Sequence, residues 1–489
     1  MKIKEVSQQR VAVWLVAAAA ILLRLFAYAP FDLSHADELM QYLEQANRLV
    51  TGTGVLPWES RVGLRNSIIP QILALPVWLG HVIGPGTLTP VHLARLTFMA
   101  LTLSSLLAAW RLGTLLSWRH AFVAIFVTAI WWESILFSNL LLSESLASGV
   151  LLLASATLLD RQADRQRAAA AAFLLGCSAL LRLQYAPFAA VLFAWTLARD
   201  RSRWPYLFGG GLLSVGLGVV SDLCAGMVPY SWVIVNFQKN IGDGIAARFG
   251  TSPAWQYLYD YYLHFGPGAL LFVVIAALAS GARYRPLLVA AAVNVAVHSL
   301  ILHKEYRFVW ASTLALLVLA AIGSLRIIEH LLEERGKIEW LGWRSVLAVA
   351  LGWALLSITS YNASGGYKAY RGGGELSRLA VSAAERPEVC RLAVVEAYYS
   401  YVVPSILPRK VPISIAPKGV YELNRPLPIA LRISANALLA ERRPIGAEAY
   451  RQVSCLKLSA ETACLYIRPG GCGPDTTYDF QASLIRAGV

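Results

Sequence analysis

Apolar runs separated by short polar or basic segments fill most of the chain. The runs at 11–29, 91–110, 121–137, 204–220, 308–325 and 345–360 approach the ~20 residues that a helix needs to cross hydrocarbon. The pattern predicts a mostly α, polytopic membrane protein. Basic residues fall between the runs, at Arg111–His120, Arg161–Arg167, Arg199–Arg203, Arg283 with Arg285, and Arg326–Arg344. Short loops of that kind stay in the cytoplasm. One topology keeps them all there, provided that 68–83, short and interrupted by Pro70 and Pro76, lies in the plane or re-enters without crossing. That topology has about eleven crossings, starts with the N-terminus inside, and leaves 30–90 and 222–266 outside.

Residues 361–489 break the pattern. Gly365, Gly366 and Gly372–Gly374 form a flexible lead-in, and Leu392–Val395 and Val411–Ile415 look like short strands bounded by Pro and Gly. The expected organisation is a transmembrane catalytic domain over 1–360 and a small α/β extracytoplasmic domain over 361–489.

Bulk numbers agree with a membrane class. Of 489 residues, 57% are hydrophobic, and the mean hydropathy is +0.54, more than one soluble core absorbs. The formal charge of +14 would suit nucleic acid if it were pooled, but it is spread over short loops, so no nucleic-acid partner is expected. Lys2, Lys4 and Arg10 ahead of the first run also resemble the start of a signal peptide. Cleavage would discard the span beside the acidic motif described next, so an uncleaved first helix is expected. Cys177 and Cys224 lie in or near apolar runs. Cys390, Cys455, Cys464 and Cys472 all fall in the tail, as in an oxidising compartment. Cys455, Cys464 and Cys472 are close enough for a local disulfide that Cys390 could join; free buried thiols are the alternative.

Candidate chemistry sits at the outer ends of the runs. His35-Ala36-Asp37-Glu38 follows the first run directly. Either carboxylate could take a proton from a hydroxyl, and the ordinary alternative is a solvated helix cap using Ser34 and Asp37. His303-Lys304-Glu305-Tyr306-Arg307-Phe308 separates two later runs, and its cations suit a phosphate at the membrane surface. A headgroup belt would explain Lys304 and Tyr306, but not His303 and Glu305. Segment 222–266 carries Asp222, Tyr230, Asn236, Phe237, Asn240 and several Trp and Tyr, a composition shared by sugar sites and interfacial belts. Trp58-Glu59-Ser60-Arg61, Arg65-Asn66-Ser67, Ser138-Asn139 and Ser143-Glu144 are weaker signals, and Arg182-Leu183-Gln184-Tyr185 marks the tip of a predicted hairpin.

Together these segments resemble the polyprenyl-phosphate-sugar-dependent mannosyltransferases of glycosyltransferase family 22. That family includes enzymes of GPI-anchor and N-glycan assembly and bacterial relatives. His303, Lys304, Glu305, Arg307 and Phe308 match its His-Lys-Glu-x-Arg-Phe motif, and His35, Asp37 and Glu38 match an early His-x-Asp-Glu. Trp58-Glu59, Arg61, Gly63 and Arg65-Asn66-Ser67 look like its Trp-Glu-x-Arg-x-Gly-x-Arg-Ser stretch with an extra Asn, and Phe249-Gly250 stands where Tyr-Gly is usual. The likeness covers roughly 11–325. It implies the GT-C fold, an acidic base in the first external loop and a lipid-phosphate sugar donor.

The expectation is therefore an inverting transferase of the bacterial plasma membrane, working on the extracytoplasmic side. It would move a hexose, mannose by resemblance, from a polyprenyl phosphate to a glycan or glycolipid. Asp37 or Glu38 would be the base. His303, Lys304, Arg307 and Arg65 would hold the phosphate, with His35, Glu59, Arg61, Glu305, Asn236 and Asn240 in support. The leaving phosphate monoester needs fixed cations rather than a strong acid, and no Asp-x-Asp motif appears in the external loops, so neither metal nor cofactor is expected. Another lipid-phosphate sugar (arabinose, glucose) or a protein acceptor is an alternative within the fold. A lipid-linked glycan flippase is the alternative of another class, and it would carry an internal repeat.

Overall fold

The computed structural model describes residues 2–397, 399–457 and 462–488, and the side chains of Lys2, Lys4 and Arg10 lie outside the described residues. The chain is mostly helical with one small sheet. It divides into two compact units, one of residues 1–28 with 99–367, the other of residues 29–98 with 368–489.

The first unit is helical. Among the described residues, four helices are long and apolar enough to cross a membrane, or six if two sharply bent pairs each count as one span. Helices Lys2–Phe26, Trp204–Cys224, Trp310–Glu334 and Trp343–Ala363 fall on the expected runs, and Ser143–Leu159, Arg165–Leu181 and Arg285–Ser299 take further apolar stretches. The run 121–137 is broken instead of continuous: Trp118–Ile130 and Trp132–Asn139 meet at 61°. Lipid offers nothing to the polar groups that such a break exposes, so the protein must supply partners. Arg24, fully buried, donates to the carbonyls of Thr128 (3.3 Å) and Ala129 (3.1 Å), and to the hydroxyl of Ser138 (2.9 Å). Past the break, the Trp132 N–H donates to Ser357 Oγ at 3.0 Å. A second bent pair, Gln256–Phe265 and Pro267–Leu278, turns by 104° at Gly266 (φ 75°). Small residues let helices meet closely; a Cβ on Gly323 would run into the backbone of Ala276 and Ser280.

The basic loops of this unit gather at one end. Arg119 pairs with Glu329 (3.0 Å), Arg326 donates to the Ser280 carbonyl (2.5 Å), Arg283 donates to the Leu115 carbonyl, and Arg203 donates to the carbonyl of Arg161. At the other end, Asp222 accepts from the Tyr230 N–H (2.7 Å) and the Trp232 indole (3.2 Å). Those bonds hold Tyr230 in a left-handed conformation (φ 59°) ahead of helix Ser231–Phe237.

The second unit joins two distant stretches of sequence. Its sheet has strands β1 (Leu392–Val394), β2 (Ile413–Ile415), β3 (Ala437–Ala440), β4 (Arg451–Lys457) and β5 (Thr462–Ile467), in the order β2-β1-β3-β5-β4. β1 runs parallel to β2 and β3, whereas β5 is antiparallel to β3 and β4. Ala393, Leu427, Leu431, Leu438, Tyr450 and Tyr466 form its core. Residues 29–98 are tied in by polar contacts. Leu33 and Gly372 exchange two backbone bonds (3.1 and 2.8 Å), and Gln481 bonds both polar groups of the Leu56 backbone (2.7 and 3.1 Å). Glu44, fully buried, accepts from the N–H groups of Val55 (2.7 Å) and Ser405 (2.9 Å). Helix Ile68–Ile83, with Pro76 inside it, belongs to this unit and is 16 residues long.

All four tail cysteines pair. Cys455–Cys464 clips facing positions of β4 and β5, and Cys390–Cys472 spans 82 residues. Closing a loop of that size removes conformations from the unfolded chain. Cys390→Ser with Cys472→Ser is expected to cost the tail about 2–4 kcal/mol. Limited proteolysis under non-reducing conditions checks this; tail cleavage no faster than in the parent would show that the sheet does not depend on the bond.

Candidate active site

In the second unit, the acidic motif opens a π-helix, Glu38–Leu43. Asp37 is its N-cap residue, but its side chain makes no capping bond. Glu38 ties down the loop ahead of the helix: Oε1 accepts from the N–H groups of Ser34 (2.8 Å) and His35 (3.4 Å), while Oε2 pairs with Arg95 at 3.2 Å. Glu38 is fully enclosed, so its charge is held by one guanidinium and two amides. Removing one partner of such a pair leaves a buried charge unanswered.

Asp37 is placed differently. Its side chain keeps 13% exposure, and its Oδ1 lies 3.1 Å from His35 Nδ1 and 2.9 Å from the Gln41 amide. The same Gln41 nitrogen reaches Glu59 Oε1 at 2.9 Å, so one amide bridges two carboxylates. Burial, and then the charge of Asp37, push the Glu59 carboxyl up to about 7. Arg65 lies close enough to Glu59 to favour its ionised form to a lesser degree, and Arg61, two residues after Glu59 in helix Trp58–Arg61, is exposed. His35, Asp37, Glu38, Glu59 and Arg65 are therefore neighbours in one unit. Gln41 and Arg95 were missed by sequence reasoning. Arg95 had a usable signal, a charge inside the apolar run 91–110; Gln41 had none.

In the first unit, the second motif folds into a chain of ion pairs. His303 Nε2 meets Glu305 Oε1 at 2.9 Å, and Glu305 Oε2 accepts from Arg307 Nε at 2.6 Å. The hydrogen bond with Glu305 is the largest of the causes that push the His303 imidazole up, which favours its charged form. Arg307 Nε also lies 3.6 Å from Glu144 Oε1, which Arg182 approaches to 3.0 Å. The Phe308 ring stands beside both guanidinium groups, at 5.0 Å from Arg182 and 5.3 Å from Arg307. Glu144 and Arg182 thus join the motif across more than a hundred residues of sequence. Lys304 points elsewhere, to the carbonyls of Ser252 (2.9 Å) and Ile301 (2.5 Å). Asn236 and Asn240 bond each other at 3.2 Å on one helical turn and are partly exposed. Against Tyr306 of the second motif, His264 stacks at 3.7 Å and binds Glu133 at 2.7 Å, a pairing that sequence reasoning did not anticipate. Among the described residues no group of His, Cys, Asp and Glu has the makings of a metal site.

The first cluster holds a carboxylate with a polar flank, a group able to take a proton, and the second holds cations of the kind that receive a phosphate. Comparison with solved structures gives the fold. ArnT from Cupriavidus metallidurans in the apo state superposes with a TM-score of 0.58 at 15% identity, covering 95% of this chain and 99% of that one. The same protein bound to undecaprenyl phosphate gives 0.56 at 14% identity, with the same coverage. The chain is also similar to "GPI mannosyltransferase 3" of Yarrowia lipolytica, 27% identical over 64% of this chain and 61% of that protein. The protein of the same name in Trypanosoma brucei brucei is 35% identical over 21% of this chain and 19% of its own length. The matches thus span less than two thirds of those relatives. The model of the Alg9-like mannosyltransferase family aligns with residues 6–401, and the chain belongs to that family.

Proposed function

We propose that the protein is an inverting glycosyltransferase that moves a hexose, mannose by family, from a polyprenyl phosphate to a hydroxyl of a glycan or glycolipid. Family membership supports the reaction class. The likeness to ArnT bound to undecaprenyl phosphate supports a lipid-phosphate carrier. The observation that carries the reading is the contrast between the two adjacent carboxylates: Glu38 is fully enclosed and paired with Arg95, whereas the Asp37 side chain keeps 13% exposure and is oriented by Gln41 and His35.

In this reading Asp37 takes the proton of the acceptor hydroxyl. The acceptor oxygen bonds to the anomeric carbon from the face opposite the phosphate, and the carbon–oxygen bond to the phosphate breaks. The electron pair stays on the polyprenyl phosphate, whose charge Arg307 and His303 stabilise, with Lys304 nearby in sequence; no general acid is required. Glu144 and Glu305 fix the Arg307 guanidinium, so that its position is set before the lipid arrives. We further propose about eleven crossings, the short and bent helices making the remainder, with both clusters on the extracytoplasmic side of a bacterial plasma membrane.

Asp37→Asn is expected to lower transfer from labelled polyprenyl phosphate mannose to a panel of glycan acceptors by about 10²–10⁴-fold, with unchanged expression. Activity within a few-fold of the parent would remove Asp37 from the reaction. Sugar–phosphate bonds left intact by the parent enzyme, with lipid moved across vesicles, would make the protein a transporter instead.

The Glu59 carboxyl yields a pH test. Its folded value, about 7, lies above the ordinary 4.5, so folding favours the protonated form. The stability that this contributes is full below the ordinary value and is lost as pH rises through about 7. Glu59→Gln has no such loss, so the parent should fall behind the variant by several degrees of melting temperature between about pH 5 and pH 8. Parallel melting curves across that range would show that Glu59 is not shifted.

A further inference from the structure

The basic end of the helical unit holds a cavity of about 310 Å³, and the transfer reaction has no use for it. Arg161, Arg199, Arg283 and Arg285 line it, together with Trp195 and Val289. Four guanidinium groups around one space repel one another unless an anion enters. Among the described residues no carboxylate pairs with any of the four. The two nearest in sequence are already engaged: Asp160 with Arg167 (3.9 Å) and the Gln162 N–H (2.9 Å), Asp200 with Arg203 (3.0 Å) and Ser202 (2.7 Å). Arg283 gives one N–H to the Leu115 carbonyl, and Arg199 lies over the Trp195 ring at 5.3 Å. Arg161, Arg199 and Arg285 remain exposed.

The cavity is far from the candidate phosphate cluster. Helices Ser143–Leu159, Ala186–Arg199 and Arg285–Ser299 each present one end to the cavity, while their opposite ends lead to Glu144, Arg182 and His303. At 1.5 Å per residue, helices of that length separate the two by about 20–25 Å, too far for one phosphate to serve both. The wall is two-faced as well: guanidinium groups above, and the indole of Trp195 with the exposed Val289 side chain beside them. A free ion would use only the first face. An amphiphile with an anionic head would use both.

We propose that this cavity binds the phosphate headgroup of an anionic glycerophospholipid, with the acyl chains lying along Trp195 and Val289. Basic pockets between transmembrane helices recognise such headgroups, each Lys or Arg contributing about 1 kcal/mol near the surface. By the distribution of basic loops this is the cytoplasmic end, so the lipid is drawn from the inner leaflet and not from the pool that supplies the sugar donor.

The test is native mass spectrometry of the full-length protein in neutral detergent, titrated with phosphatidylglycerol, phosphatidylcholine or inorganic phosphate. The parent should retain one phosphatidylglycerol in preference to phosphatidylcholine. Arg199→Gln with Arg285→Gln should weaken that binding about ten- to thirtyfold, whereas Arg335→Gln with Lys337→Gln, in a basic loop outside the cavity lining, should not. If the first pair fails to fold, Arg161→Gln, at an exposed residue, should weaken binding about fivefold. Equal loss in both pairs, or undiminished binding in the cavity pair, overturns the proposal by making the attraction a general property of the basic end. Displacement of the lipid by inorganic phosphate overturns it in favour of a free-ion site.

Discussion

A carboxylate withdrawn from water has to be answered by positive charge held close to it, and Glu144 meets that condition with two guanidinium groups at once. Arg182 and Arg307 converge on it from different helices. Neither arginine can wander without leaving the buried charge under-compensated, a cost of several kcal/mol. The motif that includes Arg307 is thereby anchored by residues outside the motif. Glu38 and Arg95 repeat the device on a smaller scale in the other unit. In each cluster an enclosed carboxylate acts as scaffold beside a less enclosed one, Glu38 beside Asp37 and Glu144 near Glu305.

The bilayer imposes a matching rule on the backbone. A helix interrupted in hydrocarbon strands carbonyl and amide groups that water cannot reach. The break at Trp131 is tolerated because Arg24 covers the carbonyls on one side of it and Ser357 takes the amide on the other. The Trp132 indole adds a bond to Ser360. Three helices far apart in sequence are thus coupled through one kink, and Arg24, Ser357 and Ser360 are polar side chains inside apolar runs because the kink demands them.

These facts explain what could be read from sequence. Apolar runs located nearly every long helix, because hydrocarbon permits few other structures. The bends at Trp131 and Gly266 were not legible, since a broken helix and a straight one have the same composition. The acidic pair was visible as an oddity, but the difference between Asp37 and Glu38 depends on Gln41, one helical turn on, and on Arg95, which sequence order does not place beside them. The same holds for Glu144 and Arg182, whose meaning comes from convergence on Arg307. Pairing of the tail cysteines was left open by spacing and is fixed by strand register, with Cys455 opposite Cys464. The membership of 29–98 in a unit with 368–489 had no local signal at all.

That membership has a consequence for biosynthesis. Residues 29–98 leave the ribosome early, but the Ser405 amide that holds Glu44 and the Gly372 backbone that pairs with Leu33 are made some three hundred residues later. Until then Leu33 and Glu44, in the segment that carries Asp37, lack these partners. The segment 29–98 therefore completes its own contacts early, among them Asp37 with Gln41 and Glu38 with Arg95, but is fastened at Leu33 and Glu44 only after the tail strands have been made.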